Sequence, residues 1–359
     1  VAIANEIKAG VYRFKINGTE AEPWVIRAIQ RVAVEDDLNL PSQFSIDMAI
    51  MVETQKTPSQ SSDRLFYDRN LMEMMEPGTE VEIMMGLNTP EHLMKGKIAS
   101  IEASFGRKST LNIVGYDALH ELSFGRKTQS YVDMTDSDIA EQIAGNVSLQ
   151  SETTSTSVKH DYVLQNNVSD FAFLIERAER IGFEVAVREG ALLFREPAES
   201  ESASVSLEFG KDLTDFTVSM KALPEGSETE FRSWDYKNKT AVSGRAKKGD
   251  EAVQPAAGEQ SGFAISTKIS SSAITNRVAT AADDEEAELL ARARYNELLR
   301  HFITGDGNCP GEPTIRSGST IEILGLGPKL SGVYYVTSSK HIWSTGSYTT
   351  TFKVRRTAL

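Results

Sequence analysis

The stretch Gly78-Thr79-Glu80-Val81-Glu82-Ile83-Met84 returns near the end of the chain as Gly318-Ser319-Thr320-Ile321-Glu322-Ile323-Leu324. In both, a glycine and a small hydroxyl residue open a run in which apolar residues alternate with glutamate, the period-two pattern of a half-buried strand. Similar segments follow each copy. After the first come Leu93-Met94-Lys95-Gly96-Lys97-Ile98 and Leu111-Asn112-Ile113-Val114-Gly115; after the second come Leu330-Ser331-Gly332-Val333-Tyr334 and Thr349-Thr350-Thr351-Phe352-Lys353-Val354-Arg355. In this alignment Gly78 matches Gly318 and Gly96 matches Gly332. Each copy reads as a turn, a strand, a turn and two more strands. The opening motif is common strand chemistry, so the repeat rests on the whole succession. A chain with one such module at each end can present two similar faces.

Working outward, residues 11 to 125 read as β. Val11 to Ile16 runs into Asn17-Gly18, a hairpin signal. Ile29, Val32 and Val34, then Phe44, Ile46, Met48 and Ile50, alternate with polar residues. Many short antiparallel strands with polar turns indicate a small barrel or sandwich. The middle changes period. Thr135-Asp136-Ser137-Asp138 fits a capping box, with Ile139, Ile143 and Val147 on one helical face. Ser169-Asp170 caps a second helix with the stripe Phe171, Leu174, Ile175, Ala178 and Ile181, ended by Gly182. Two strands, Phe183–Val187 and Ala191–Phe194, follow. Further strands are expected at 213–220 and 229–236, then a long Ala/Ser/Gly-rich excursion. An acid-led helix starts at Asp283-Asp284-Glu285-Glu286, with Ala287, Ala291, Tyr295, Leu298, Leu299 and Phe302 buried. The expected class is α+β, mainly β: two small antiparallel β-barrels flanking an α/β insert. The parts are 1–125, a first barrel of tube-docking type; 126–206, the insert; and 207–359, a second barrel interrupted by a loop at 241–282 and a helix at 283–303.

Composition narrows the function. The chain has 359 residues, 38 basic and 51 acidic, and a net charge of −13. That balance disfavours contact with phosphate backbones; the short basic runs Arg245-Ala246-Lys247-Lys248 and Arg355-Arg356 read as solvated charge. No run approaches the roughly 20 apolar residues of a membrane span. The start resembles no signal peptide and lacks an initiator Met, so a trimmed or processed chain is expected. The one cysteine, Cys309, excludes an intrachain disulfide, and Gly305-Asp306-Gly307-Asn308-Cys309-Pro310-Gly311 reads as a loop.

No catalytic, cofactor or metal site is expected. A glycosidase needs two carboxylates across a cleft, but Asp36-Asp37 reads as a turn and Asp283-Asp284 as a helix start. His92, His120, His160, His301 and His341 are scattered, without the local spacing of a zinc site. Asp133, Asp136 and Asp138 lack the glycine and distal glutamate of a calcium loop. The sequons at Asn17, Asn146, Asn167 and Asn238 matter only in a eukaryotic secretory protein. Met72, Met74, Met75, Met84 and Met85 cluster in the first module as gap-filling core, with an adaptable interface as the alternative.

The run Tyr162-Val163-Leu164-Gln165-Asn166-Asn167-Val168-Ser169-Asp170-Phe171-Ala172-Phe173-Leu174-Ile175-Glu176-Arg177-Ala178, ending in Gly182-Phe183-Glu184-Val185, resembles the central baseplate hubs of contractile tails. These include the phage late control D proteins, the T-even baseplate hub and the N-terminal half of the valine-glycine repeat (VgrG) spike proteins. Leu330–Thr337 and Tyr348–Phe352 also resemble the last barrel of that family. The resemblance implies a structural protein with no enzymatic activity. It implies a homotrimer whose two barrels per chain make a pseudo-sixfold ring, joining a hexameric inner tube to a trimeric central spike and lining the delivery channel. Its partners would be the inner tube protein, the spike and other baseplate proteins, with no stable nucleic-acid binding and no membrane span. It would be made in the bacterial cytoplasm and assembled into a phage tail or contractile injection particle. In spike-fused relatives a spike domain follows the hub; none follows Arg355-Arg356-Thr357-Ala358-Leu359 in this sequence, which fits either a separate spike protein or a longer parent chain. Two other readings stay open: a monomeric carbohydrate- or cell-surface-binding β-protein using Trp24, Trp234 and Trp343, and a tail-associated cell-wall hydrolase.

Overall fold

The computed structural model describes residues 10–50, 52–54, 65–67, 74–106, 108–223, 228–255, 260–268, 274–278 and 281–359. Met72 lies outside them. In the first module, β1 (Gly10–Ile16) turns at Asn17 and Gly18, both at positive φ, into β2 (Thr19–Glu20). This is the two-residue turn whose twist suits a hairpin. Helix α1 (Pro23–Ala28) leads to β3 (Ile29–Asp37) and β4 (Gln43–Ala49). A small pair, β5 (Val52–Thr54) with β6 (Leu65–Tyr67), precedes the meander β7 (Glu80–Leu87), β8 (Glu91–Ser104) and β9 (Thr110–Tyr116). The sheet order is β3-β4-β9-β8-β7-β1-β2, antiparallel throughout. Phe44, Ile46, Met48, Val81, Ile83, Met85 and Ile113 bury its inner face. Met75, Met84 and Met85 are buried, as the core reading of the methionines requires.

The insert has its own core. It comprises β10 (Lys127–Thr135), α2 (Asp136–Asn146), β11 (Gln150–Thr153), β12 (Lys159–Val168), α3 (Asp170–Ile181), β13 (Glu184–Arg188) and β14 (Ala191–Arg195). Thr135 and Asp138 make the capping box that starts α2. Ser169 caps α3, and Gly182, at φ 77°, ends it in the left-handed conformation that a side chain disfavours. Ile139, Ile143, Leu174, Ala178, Val185 and Phe194 pack together between the helices and strands.

The second module holds β15 (Val205–Glu208), β16 (Asp215–Met220), β17 (Glu228–Asp235), β18 (Thr240–Ala246), α4 (Gly262–Ser266), β19 (Ile274–Val278) and α5 (Asp284–Leu299). It closes with β20 (Ile303–Pro310), β21 (Thr320–Leu324), β22 (Gly332–Ser344) and β23 (Ser347–Arg356). Two expectations fail here. The stretch 241–282 is not a plain loop: β18 and β19 flank β17 in a three-stranded sheet that packs on α5 through Phe231, Val242, Tyr295 and Leu299. Its buried faces are small, with Gly244 so close that a Cβ there would lie 2.0 Å from the Ala287 carbonyl carbon. Small residues leave little hydrophobic pattern to read. Likewise 305–311 is not a loop, since most of it is β20, between β16 and β23. Gly305 and Gly307 are there because the Phe216 and Phe352 rings lie where their side chains would be.

The class is α+β, mainly β, but among the described residues the strands form no closed barrel. One 13-stranded sheet runs β16-β20-β23-β22-β3-β4-β9-β8-β7-β1-β2, with β21 on β22 and β15 on β21. The modules are continuous because β22 is long: its first half pairs with β21 and its second half with β3 of the other module. The far end of the β22–β23 hairpin caps the first module. Tyr348 joins that core, the Trp343 indole donates to Gly10 O at 2.9 Å, and Gly10 N donates to Gly346 O at 3.0 Å.

Candidate functional site

The sequence repeat is a structural repeat, with one adjustment. Gly78 and Gly318 both have positive φ, 94° and 78°. Gly78 N donates to Ile98 O and Ile98 N to Thr79 O, while Gly318 N donates to Val336 O and Val336 N to Ser319 O. Thr79 Oγ1 accepts from Glu76 N, and Ser319 Oγ accepts from Arg316 N. Both copies then break register directly after these partners, between Ile98 and Ser100 and between Val336 and Ser338. A bulge of this kind bends and twists the strand locally. Ile98 is therefore the counterpart of Val336, and Gly96 falls opposite Val81 as Tyr334 falls opposite Ile321. Gly96 and Gly332 are not counterparts. Gly96 is needed where Tyr116 O crowds it, and Gly332 where Arg356 does.

Ion pairs fasten the three parts where they meet. Asp36 is 1% exposed. Its carboxylate accepts from Arg188 Nη1 of the insert (2.7 Å), Arg316 Nε (3.0 Å) and Ser317 Oγ (2.9 Å) of the second module, and Ser42 Oγ (3.0 Å). Burial pushes its pKa up, but the two guanidiniums and these hydrogen bonds outweigh burial and hold it well below the usual carboxylate range. Nearby, Glu184 of β13 accepts from Arg195 Nε at 3.0 Å and from the Tyr335 hydroxyl at 2.6 Å, and Arg195 Nη2 donates to Gly318 O at 3.0 Å. On the other side of the insert, Arg180 reaches Glu286 of α5 at 2.8 Å. Asp36 is thus a strand residue serving as a fastener, not a turn residue, and its ion pairs leave it no proton to donate and little basicity. Sequence reading missed the cluster because Asp36, Arg188 and Arg316 come from three distant stretches with no shared motif.

A cleft of about 690 Å³ lies between the first module and the insert, lined by His92, Lys97, Asp117, Glu121, Arg188 and Arg195, among others. Burial raises the Asp117 pKa to about 6, against hydrogen bonds from Ser42 N and Leu119 N. The Leu119 amide belongs to the short 3-10 segment that Asp117 caps and the Ser42 amide to the distant β3–β4 connection, so this carboxyl ties those two stretches together.

The other candidate residues stay apart. His341 is buried, its Nε2 donating to Ile315 O at 3.0 Å and its Nδ1 accepting from the Tyr348 hydroxyl at 2.9 Å. Burial pushes its pKa down to about 3. Cys309 is buried in β20, its thiol pushed up to about 12 by burial. Asp283 caps α5 and Asp284 opens it. Asp136 pairs with Arg177 Nε at 2.6 Å and lies 3.3 Å from His160 Nε2, ties beyond the helix capping expected of it. Trp24 and Trp343 pack on the first core, while Trp234 stands exposed on β17, so the three do not line a common cleft. Arg355 pairs with Glu199 and Arg356 lies over the Tyr334 ring. No helix among the described residues is long and apolar enough to cross a membrane.

A family model described as the Alg8 N-terminal domain matches residues 16–344. No curated protein matches the chain. Among solved structures, the chain is similar to the 43 kDa tail protein of prophage MuSo2 from Shewanella oneidensis, with 11% identity and a TM-score of 0.69 over 97% of this chain and 98% of that one. It is similar to the tail protein from Neisseria meningitidis MC58, with 11% identity and a TM-score of 0.67 over 96% of each chain. The E. coli c3393 protein, a type VI secretion component with structural similarity to the T4 bacteriophage tail proteins gp27 and gp5, follows. It gives 12% identity and a TM-score of 0.59 over 95% of this chain and 76% of that one. At such identities the likeness establishes the fold, one found in phage tail and type VI secretion proteins.

Proposed function

The chain belongs to the Alg8 N-terminal domain family, and from its architecture we propose that it is a structural baseplate hub of a phage tail or contractile injection particle. In this reading it is a homotrimeric adaptor that joins a hexameric inner tube to a trimeric central spike and lines the delivery channel. The observation that carries it is the duplicated turn, strand and bulge. Two equivalent modules per chain give six near-equivalent surfaces from three chains, matching a sixfold tube to a threefold spike. The shared fold with tail and type VI secretion proteins supports the same reading.

The functional division is 1–125 for tube docking, 126–206 as an insert, and 207–359 as the second module, with the end of the β22–β23 hairpin completing the first. The role is assembly, without catalysis. The partners are the inner tube protein, the spike and other baseplate proteins, and the place of action is the virion or particle baseplate after synthesis in the bacterial cytoplasm. The net charge of −13 disfavours DNA retention in the channel. Native mass spectrometry, alone and with a tube protein, tests the reading: a trimer is expected, and a monomer under every condition would remove it. Retention of DNA by the assembled ring at low salt would remove the channel argument.

A further inference from the structure

The repeat makes the joint between the two modules of one chain readable as a pattern with a second, open instance. The joint pairs the outer edge of β3 with the second half of β22, Val34 opposite His341 and Ala33 opposite Ile342. In the repeat, β22 corresponds to β8, with Val336 matching Ile98, so the second half of β22 corresponds to Ser100–Ser104 and the residues just after. The strand β3, laid on β4, corresponds to β16, laid on β20. Phe44 opposite Gly115 matches Gly305 opposite Val354, and Val34 therefore matches Val218. Among the described residues, β16 pairs with β20 alone, and β8 beyond Ile98 pairs with β9 alone. Both halves of the second joint are thus present and unjoined in one chain, at sites with six strands between them in the sheet.

We infer that β16 of one copy pairs antiparallel with the second half of β8 of the next copy, in the register that β3 and β22 show within the chain. This inference rests on the reading of the chain as a ring subunit and names the surface that closes the ring. Counting along both strands sets Val218 opposite Ala103, Thr217 opposite Ser104 and Phe216 opposite Phe105. Burial agrees with it. At the joined edge, the inward positions Val32, Val34, Asp36 and His341 are at most 1% exposed. At the open edge, the matching Phe216, Val218 and Ala103 are only partly buried, and Met220, the counterpart of Asp36, is 43% exposed. Phe105, the counterpart of Trp343, is 53% exposed. The inward residues of the open edge are all apolar, and an exposed apolar strand edge is a template for another strand. A second copy supplies the matching half, by a head-to-tail contact that closes if its rotation allows.

The test is a disulfide between opposed outward positions. Cβ atoms of directly opposed strand residues lie about 4.5–5.5 Å apart, a spacing that small backbone shifts bring within disulfide reach. Ser104 and Thr217 are exposed, and the native Cys309 is buried. The full chain carrying Ser104→Cys and Thr217→Cys is oxidised and run without reductant, beside a control with Ser104→Cys and Ser219→Cys. Circular dichroism verifies the fold of each. Cross-linked bands that stop at three chains, with the control weaker by at least tenfold, are expected. Phe105→Glu in the otherwise unaltered chain is expected to raise the concentration of half-assembly at least tenfold. An assembly of correct mass that cross-links only in the control, in neither variant, or to added tube protein instead overturns the edge pairing and leaves the hub reading standing. A ladder running past three chains supports the pairing and overturns the closed trimer. A monomer at all concentrations, with and without tube protein, overturns both.

Discussion

The two copies of the repeat share a device and differ in what their edges do. In both, a positive-φ glycine, a hydroxyl that accepts from the backbone three residues earlier, and a bulge after the second residue pair of the next ladder bend a long strand. In the first copy the flanking strand β1 meets β7 antiparallel, whereas in the second β15 meets β21 parallel, having arrived from the insert. The β3 edge is covered by its own chain, and its inward position 36 is a carboxylate locked between two arginines. The matching β16 edge is open, and its inward position 220 is a methionine. A duplicated sequence thus preserves local bending, while polar fasteners mark the permanent joint and apolar residues mark the open one.

The comparison predicts unequal costs for equivalent positions. Asp36→Ala leaves Arg188 and Arg316 buried without their partner and should cost about 3–5 kcal/mol in urea unfolding. Because the folded-state pKa of Asp36 lies below its ordinary value near 3.8, its contribution is present above that pH and lost as pH falls below it. The wild type should therefore weaken on acidification below about pH 4 in a step that Asp36→Ala lacks; an identical acid profile would refute the fastener. Next, Gly307→Ala would place a Cβ 2.4 Å from the Phe352 ring, and overpacking of this kind costs about 1–3 kcal/mol, read from the thermal midpoint. A neutral result would mean that β20 is the loop its composition suggests. Gly78→Ala and Gly318→Ala should each lose about 1–2 kcal/mol. Gly318 should be the worse, since its new Cβ also meets Arg195 at 3.2 Å; a large loss at one and none at the other would break the equivalence of the turns. Smallest of all, Met220→Ala should change the stability of the dilute chain by less than about 0.5 kcal/mol, although its counterpart Asp36 is the most costly of the set.

Much of the fold was legible because its signals are local. The capping residues Thr135 and Ser169, the stop at Gly182 and the acid start at Asp283 are read from short spans, since helix ends are satisfied by neighbours in sequence. Alternation placed β3 and β4 because one face of each is buried. Reading failed where burial is made by small residues. Gly305 and Gly307 look like a loop until the Phe216 and Phe352 rings are seen beside them, and Val242, Gly244 and Ala246 carry too little apolar bulk to announce β18. The Gly96–Gly332 match misled because both copies contain a glycine needed for unrelated reasons of close approach.

The sequence by itself determined the strand-rich class, the helices of the middle stretch and the duplicated turn, all properties of residues near one another along the chain. The tertiary structure decided that the two modules form one open sheet rather than two closed barrels, that Asp36 fastens three parts, and which strand edges are covered. Those outcomes depend on which distant strand lies beside which, and a strand's period-two pattern specifies its buried face but not its neighbour.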